Sequence, residues 1–99
     1  MTYEKLDSLG QLLGCYFHQD WSQEFENDQD AIDAILAAEP KENVESSVGE
    51  LDVLLARPLD EEELRAILIG EVGCYFDPAS LGISYRQWLS RVRDELAKK

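Results

Sequence analysis

The tetrapeptide Gly14-Cys15-Tyr16-Phe17 recurs as Gly73-Cys74-Tyr75-Phe76, and each copy follows an apolar segment. Glycine is favoured just beyond the last turn of a helix, where the chain changes direction. We therefore predict two helix ends, each stopped by its glycine, that deliver Cys, Tyr and Phe side chains to one core. No third copy occurs in the chain, which excludes a short-period repeat architecture.

Outside the two copies, the strong apolar periodicities are all helical. In the first part of the chain they predict a helix from about Tyr3 to Leu13, a short segment capped by Asp20, and a helix capped by Asp28 or Asp30 that ends near Ala38. Later they predict a helix with Pro40 in its first turn and its end at Ala56, then two helices opened by the capping boxes Asp60/Glu63 and Ser84/Gln87. The 99 residues are therefore predicted to form one all-α domain, a single compact bundle of five to six short helices.

Acidic side chains dominate most of the chain. Residues 1–77 carry 19 acidic and 4 basic side chains, for a charge of −15, whereas residues 78–99 carry 2 and 5, for +3. Such a surface repels nucleic acid and anionic membranes, so neither is an expected partner. It favours steered association with a strongly basic protein. On charge alone, acidity that serves only solubility remains the simpler interpretation.

One acidic run is harder to explain by solubility or helix capping. Six carboxylates fall within residues 20–33, where they repel one another, and a basic partner would relieve that repulsion. Two further carboxylates lie beside the Asp60/Glu63 capping box and are not explained by it, although a solvated surface is the simpler interpretation for both. The candidate partner-binding residues are therefore Asp20, Glu24, Glu26, Asp28, Asp30, Asp33, Glu61 and Glu62.

No constellation of residues predicts catalysis. His18 and Asp20 are spaced to act as a base and its orienting group, but no nucleophile or oxyanion hole is marked, so we favour a capping or hydrogen-bonding role for His18. Cys15, Cys74 and His18 give three possible metal ligands without a C-x-x-C pair, so no metal and no cofactor are expected. No signal peptide or spanning segment is recognisable, and a cytoplasmic protein with reduced thiols is expected.

The run LLGCYFHQDW at 12–21 resembles the N-terminal signature of contact-dependent growth inhibition immunity proteins of the CdiI type. ELDVLL at 50–55, the second GCYF and SYRQWL at 84–89 follow in the order found in that family. The aromatic and glycine positions of this signature are predicted to form the core. The residues of the signature are Gly14, Cys15, Tyr16, Phe17, His18, Trp21, Gly73, Cys74, Tyr75, Phe76, Tyr85 and Trp88.

The resemblance implies a single immunity domain over residues 1–99 that is not an enzyme. Such proteins bind the C-terminal toxin domain of a growth inhibition effector, and many of these toxins are nucleases with basic clefts. Our hypothesis is stoichiometric occlusion of the toxin's basic active site, with an RNase preferred to a DNase as the toxin. A monomer is the expected oligomeric state of the chain. Two alternatives remain open: an acidic helical adaptor or regulator that binds a basic host protein, and a small hydrolase that uses His18.

Overall fold

The computed structural model describes residues 6–98, with the backbone alone for Asp7. Its α-helices are α1 (Asp7–Leu9), α2 (Trp21–Glu24), α3 (Asp28–Ala38), α4 (Lys41–Ala56), α5 (Glu61–Ile67) and α6 (Tyr85–Ala97). α1 continues as a π-helical segment (Gly10–Gly14), and α5 continues as a second π-helical segment (Leu68–Val72). A 3-10 helix (Pro78–Leu81) precedes α6. The all-α prediction is confirmed, with six α-helices and no strand in this range. The predicted helix start at Tyr3 lies outside the described residues.

Local capping chemistry fixes several helix starts as predicted. The Asp60 carboxylate accepts from the Glu63 N–H at 2.8 Å, and Glu63 accepts from the Asp60 N–H at 3.0 Å. Ser84 and Gln87 exchange the same two bonds at 3.1 and 2.9 Å. Pro40 differs slightly from expectation, because it occupies the capping position before α4 instead of the first turn.

The starts of α2 and α3 correct two predictions. Asn27 caps α3, since its side-chain oxygen accepts from the Asp30 N–H at 2.9 Å; neither Asp28 nor Asp30 does so. Asp20 occupies the capping position of α2, but its carboxylate makes no capping bond. Its N–H donates instead to Nδ1 of His18 at 3.1 Å. His18 therefore has the hydrogen-bonding role that the sequence favoured.

The core lies between α4 and α6. α1 packs along α4, while α3 and α5 pack on α6. The buried residues of α6 recur mostly every three or four positions, as the sequence predicts. They are Tyr85, Trp88, Leu89, Val92 and Leu96. The Cα radius of gyration is 12.4 Å, near the roughly 13 Å of a compact 100-residue domain. Within residues 6–98, no helix has the length and apolarity required to span a bilayer.

The predicted helix stop at Gly14 is wrong. The helix continues for two residues beyond it, and the Phe17 N–H still donates to the Leu13 carbonyl at 2.7 Å. Gly14 permits a close approach instead, because a Cβ at this position would overlap the carbonyl oxygen of Val72. The two π-helical segments thus meet backbone to backbone at a position that only glycine can occupy without displacement.

Gly73 ends its helix as predicted. Its φ of 80° lies in the left-handed region that favours glycine. The following N–H, of Cys74, donates to the Leu68 carbonyl at 2.8 Å, a bond one residue wider than the six-to-one bond of a Schellman helix end. The chain then becomes extended until the 3-10 helix begins at Pro78.

The two tetrapeptides direct their side chains differently, because the first is helical and the second extended. Phe17, Cys74 and Phe76 are fully in the core. Tyr16 is half-buried, whereas Cys15 and Tyr75 are exposed. The prediction that each copy delivers all three of its side chains to the core is therefore wrong for Cys15 and Tyr75.

Four aromatic rings join the two copies to α2 and α6. Phe76 stacks on Trp88 with ring centroids 4.6 Å apart, and Phe17 meets Trp88 edge-on at 5.3 Å. Trp21 closes the cluster against Phe17 and Phe76, at 5.4 and 5.3 Å. A single backbone bond also links the copies, from the Tyr75 N–H to the Phe17 carbonyl at 2.7 Å. These contacts hold α2 on the core although it is only four residues long.

The two free cysteines are expected to differ in reactivity. Burial raises the pKa of Cys74 to about 12, whereas Cys15 is exposed. With a disulfide reagent at about pH 8, one thiol per folded chain should react rapidly and the other at least about tenfold more slowly, because thiolate is the attacking species. The absorbance of the released thiol measures both phases. Cys15→Ser should remove the fast phase; loss of the slow phase instead would contradict the assignment.

Candidate partner-binding surface

The segment that contains α1, α2 and α3 has no basic side chain of the Lys or Arg type. Residues 6–40 include neither lysine nor arginine. Among the described side chains of this segment, five carboxylate residues are exposed, just before α2, on α2, on α3 and between the two helices. We call them the α2–α3 acidic surface, and they are Asp20, Glu24, Glu26, Asp30 and Asp33. Their negative charge is therefore not compensated by a neighbouring lysine or arginine in sequence, and it is available to steer a cationic molecule.

The backbone under this surface is held by contacts with the core. α2 is fixed from below by the contacts of Trp21 with the aromatic cluster. The loop after α2 is fixed by Phe25, whose ring stacks on Tyr16 at a centroid distance of 6.3 Å, and the Tyr16 hydroxyl donates to Glu39 at 3.0 Å. Asn27 then caps α3. The backbone is thus positioned by residues that do not belong to the α2–α3 acidic surface, and the carboxylates of that surface face solvent.

Two members of the surface have side-chain neighbours. Nε2 of His18 lies 3.3 Å from a carboxylate oxygen of Glu24. Asp33 accepts a hydrogen bond from the Gln29 amide at 3.0 Å. Within the described range, the carboxylates of Asp20, Glu26 and Asp30 have no hydrogen-bond or ion-pair partner, so a binding partner would not have to break an internal contact to reach them.

Asp28 does not belong to this surface, contrary to the sequence-based prediction. It is only 4% exposed, and its carboxylate accepts from Nε1 of Trp88 at 2.9 Å. Nη1 of Arg91 lies 3.4 Å from the same oxygen, and Nη2 of Arg91 donates to Gln29 at 2.7 Å. The charge of Asp28 is therefore used to join α3 to α6, because the buried indole N–H requires an acceptor.

The second predicted patch is also reduced. Both carboxylate oxygens of Glu61 accept from the first N–H groups of α6, at 2.6 Å from Tyr85 and 3.3 Å from Arg86. Glu61 is exposed but acts as a cap for that helix, where its charge also suits the helix dipole. Glu62 is exposed and accepts no hydrogen bond in the described part of the chain. Of these two residues, only Glu62 remains without a structural role in that range.

Tyr75 is predicted from the sequence to lie in the core, and Asp77 is not among the predicted binding residues. Burial alternates along the extended segment 74–77, with Cys74 and Phe76 inside and the other two residues outside. Tyr75 is 44% exposed. The signal for this exposure is the glycine at position 73, since a helix that ends there and continues as extended chain must alternate. No three His, Cys, Asp or Glu side chains in residues 6–98 are grouped so that they could hold a metal ion.

Comparisons with known proteins match the chain to a protein family and to a solved structure. A family model described as CdiI immunity protein matches residues 5–96. A chain of the crystal structure of a CdiA-CT/CdiI complex from Y. kristensenii 33638 is 32% identical and superposes with a TM-score of 0.85, covering 94% of this chain and 99% of that one. No curated protein matches the chain.

Proposed function

The chain belongs to the CdiI immunity protein family, and on this premise we propose that it binds and neutralises the cognate toxin domain of a contact-dependent growth inhibition effector. The observation that carries the proposal is the likeness to a chain of a CdiA-CT/CdiI complex, which extends over nearly the full length of both chains. Neutralisation on this proposal needs only a stable one-to-one complex. The protein acts without substrate turnover, as a cytoplasmic monomer before it meets the toxin.

The toxin is proposed to be a nuclease, an RNase in preference to a DNase, whose basic cleft the immunity protein occludes. The support is electrostatic. A cleft that binds phosphates is lined with cations, and the α2–α3 acidic surface presents five exposed carboxylates on a backbone held by contacts with the core, without a lysine or arginine in residues 6–40. Attraction between this surface and the cleft accelerates their encounter. Once the complex has formed, the same negative charge repels the polyanionic substrate.

Charge reversal of the α2–α3 acidic surface tests the electrostatic part. The variant Glu24→Lys/Asp30→Lys/Asp33→Lys should associate about tenfold more slowly with the cognate toxin domain, with a weaker dependence of the association rate on salt. Stopped-flow or surface-based kinetics at several salt concentrations measure both quantities. The matched control reverses three exposed carboxylates on α4 and α6, which are Glu42, Glu45 and Asp94, and should slow association less.

Co-expression tests the function itself. The toxin domain encoded beside this chain should arrest growth when expressed alone and should not when the wild-type chain is present. A toxin that arrests growth regardless of the chain would refute immunity, and a neighbouring product without toxicity would favour the acidic adaptor. If the wild-type chain protects and the charge-reversed variant keeps the wild-type association rate and salt dependence, immunity stands but this surface is not the contact.

A further inference from the structure

Tyr75 differs from its counterpart Tyr16 in the contacts that its side chain makes. The Tyr16 hydroxyl donates to Glu39 at 3.0 Å and its ring stacks on Phe25. Tyr75 is 44% exposed, and within residues 6–98 its hydroxyl has no hydrogen-bond partner and its ring no aromatic neighbour. The side chain of the first tyrosine is therefore held by a hydrogen bond and a ring contact, whereas that of the second has neither in this range.

The backbone that carries Tyr75 is nevertheless held firmly. Its own N–H donates to the Phe17 carbonyl at 2.7 Å, and the preceding N–H, of Cys74, donates to Leu68. The next side chain, Phe76, lies in the aromatic cluster. An exposed ring on a fixed backbone loses little conformational entropy on binding, because only its two side-chain torsions remain to be ordered.

Two acidic residues lie near Tyr75, one along the chain and one reached through its backbone bond to Phe17. Asp77 lies two residues on, on the same outward side of the extended segment. The bond to Phe17 places Tyr75 beside His18, whose Nε2 lies 3.3 Å from Glu24. Tyr75 thus stands at the margin of the α2–α3 acidic surface. A ring in this setting suits a cation, since an arginine side chain stacks on the tyrosine face while carboxylates around it neutralise the charge.

We infer that Tyr75 is the aromatic anchor of the toxin contact, on which an arginine-bearing surface of the toxin domain stacks, with Asp77 and Glu24 at its rim. This inference rests on the proposed function. Anchors of protein interfaces are enriched in tyrosine, and their loss mainly accelerates dissociation. The acidic surface and the anchor therefore have separable kinetic roles, in association and in residence.

Substitution of Tyr75 provides the test, with the cognate toxin domain as the probe. Tyr75→Ala should raise Kd at least about tenfold, mainly through the dissociation rate, with an unchanged melting temperature. Tyr75→Phe keeps the ring face and should remain within about threefold of wild type. Leu81→Ala, at a side chain of similar exposure (46%), is the matched control and should bind like wild type.

The outcomes separate this inference from the proposed function. Wild-type chain that fails to bind the toxin domain refutes the function. Tight wild-type binding that Tyr75→Ala leaves within about twofold overturns the anchor alone. A loss in Tyr75→Phe as large as that in Tyr75→Ala overturns stacking. Should Tyr75→Ala be less stable than expected, Tyr75→Lys decides the matter, because a cation there repels an arginine, and a Kd equal to wild type contradicts the inference.

Discussion

Replacing Gly14 with alanine is expected to lower the free energy of unfolding by about 2–3 kcal/mol. The added Cβ would overlap the carbonyl oxygen of Val72. That oxygen belongs to the backbone of a helix and cannot rotate away as a flexible side chain would, so the two π-helical segments must separate. In urea unfolding the midpoint should fall without a change of slope, and in thermal unfolding the transition should move down by roughly 10–20 °C.

Gly49→Ala is the matched control for this substitution. Gly49 lies within α4, and a Cβ there would meet nothing within 4 Å. Alanine at this position should raise the free energy of unfolding by about 0.5–1 kcal/mol, because glycine in a helix interior costs backbone entropy. Opposite signs for the two glycines would identify steric overlap as the cause. Two changes of the same sign and size would show that close approach at Gly14 does not matter.

The second large effect is expected at Asp28. Asp28→Ala should lower the free energy of unfolding by about 2–3 kcal/mol, because the buried indole N–H of Trp88 loses its acceptor and Arg91 loses its carboxylate partner. Asp28→Asn keeps an oxygen for the indole and should lose about 1 kcal/mol. Chemical denaturation of the three proteins measures both differences. Because the carboxylate is buried, the association rate with the toxin domain should stay at the wild-type value for any variant that remains folded.

Asp30→Ala provides the contrast two residues further along α3. The Asp30 side chain is exposed, so its removal should change the free energy of unfolding by no more than about 0.5–1 kcal/mol, mostly through the helix dipole. Slower association is expected for this variant, since Asp30 belongs to the α2–α3 acidic surface. If Asp28→Ala slowed association more than Asp30→Ala while both remained folded, the assignment of structural and partner-facing carboxylates would be reversed.

The parts of the fold that the sequence predicts correctly depend on neighbours in the chain. A capping box requires only two residues three positions apart, so the helix starts at Asp60 and Ser84 can be predicted from the sequence. Caps supplied from a distance leave no local signal. Glu50 accepts from the Leu9 N–H at 2.8 Å across 41 positions of sequence, and Arg86 donates to the Leu55 carbonyl at 2.7 Å. Neither bond follows from periodicity, because each depends on how helices are placed in space.

Gly14 shows a second limit of sequence reasoning. Glycine allows a left-handed turn and also allows two backbones to touch, and only the position of the second helix distinguishes these uses. The tetrapeptide at Gly73 ends its helix in the left-handed conformation, whereas the one at Gly14 does not. The two tetrapeptides have the same sequence, but Tyr16 lies against Glu39 whereas Tyr75 is exposed to solvent.

The sequence predicts that the candidate surface is acidic, but it does not predict which of the carboxylates are exposed. The acidic run between residues 20 and 33 is visible in the sequence. Its members have similar chemistry, however, and the indole of Trp88, distant in sequence, decides that Asp28 is internal while Asp30 is not. Glu61 similarly becomes a cap only when the start of α6 is brought to it. Long-range packing divides the carboxylates into two kinds.

That division has an evolutionary consequence. Within the described range, the carboxylates of Asp20, Glu26 and Asp30 hold no other group in place, whereas Asp28, Asp60 and Glu61 each stabilise a helix or a helix contact. Mutations can therefore redraw the outward pattern of charge without first finding a compensating change in the interior. A lineage with this architecture can follow a diverging antagonist in single steps, each of which yields a protein that still folds.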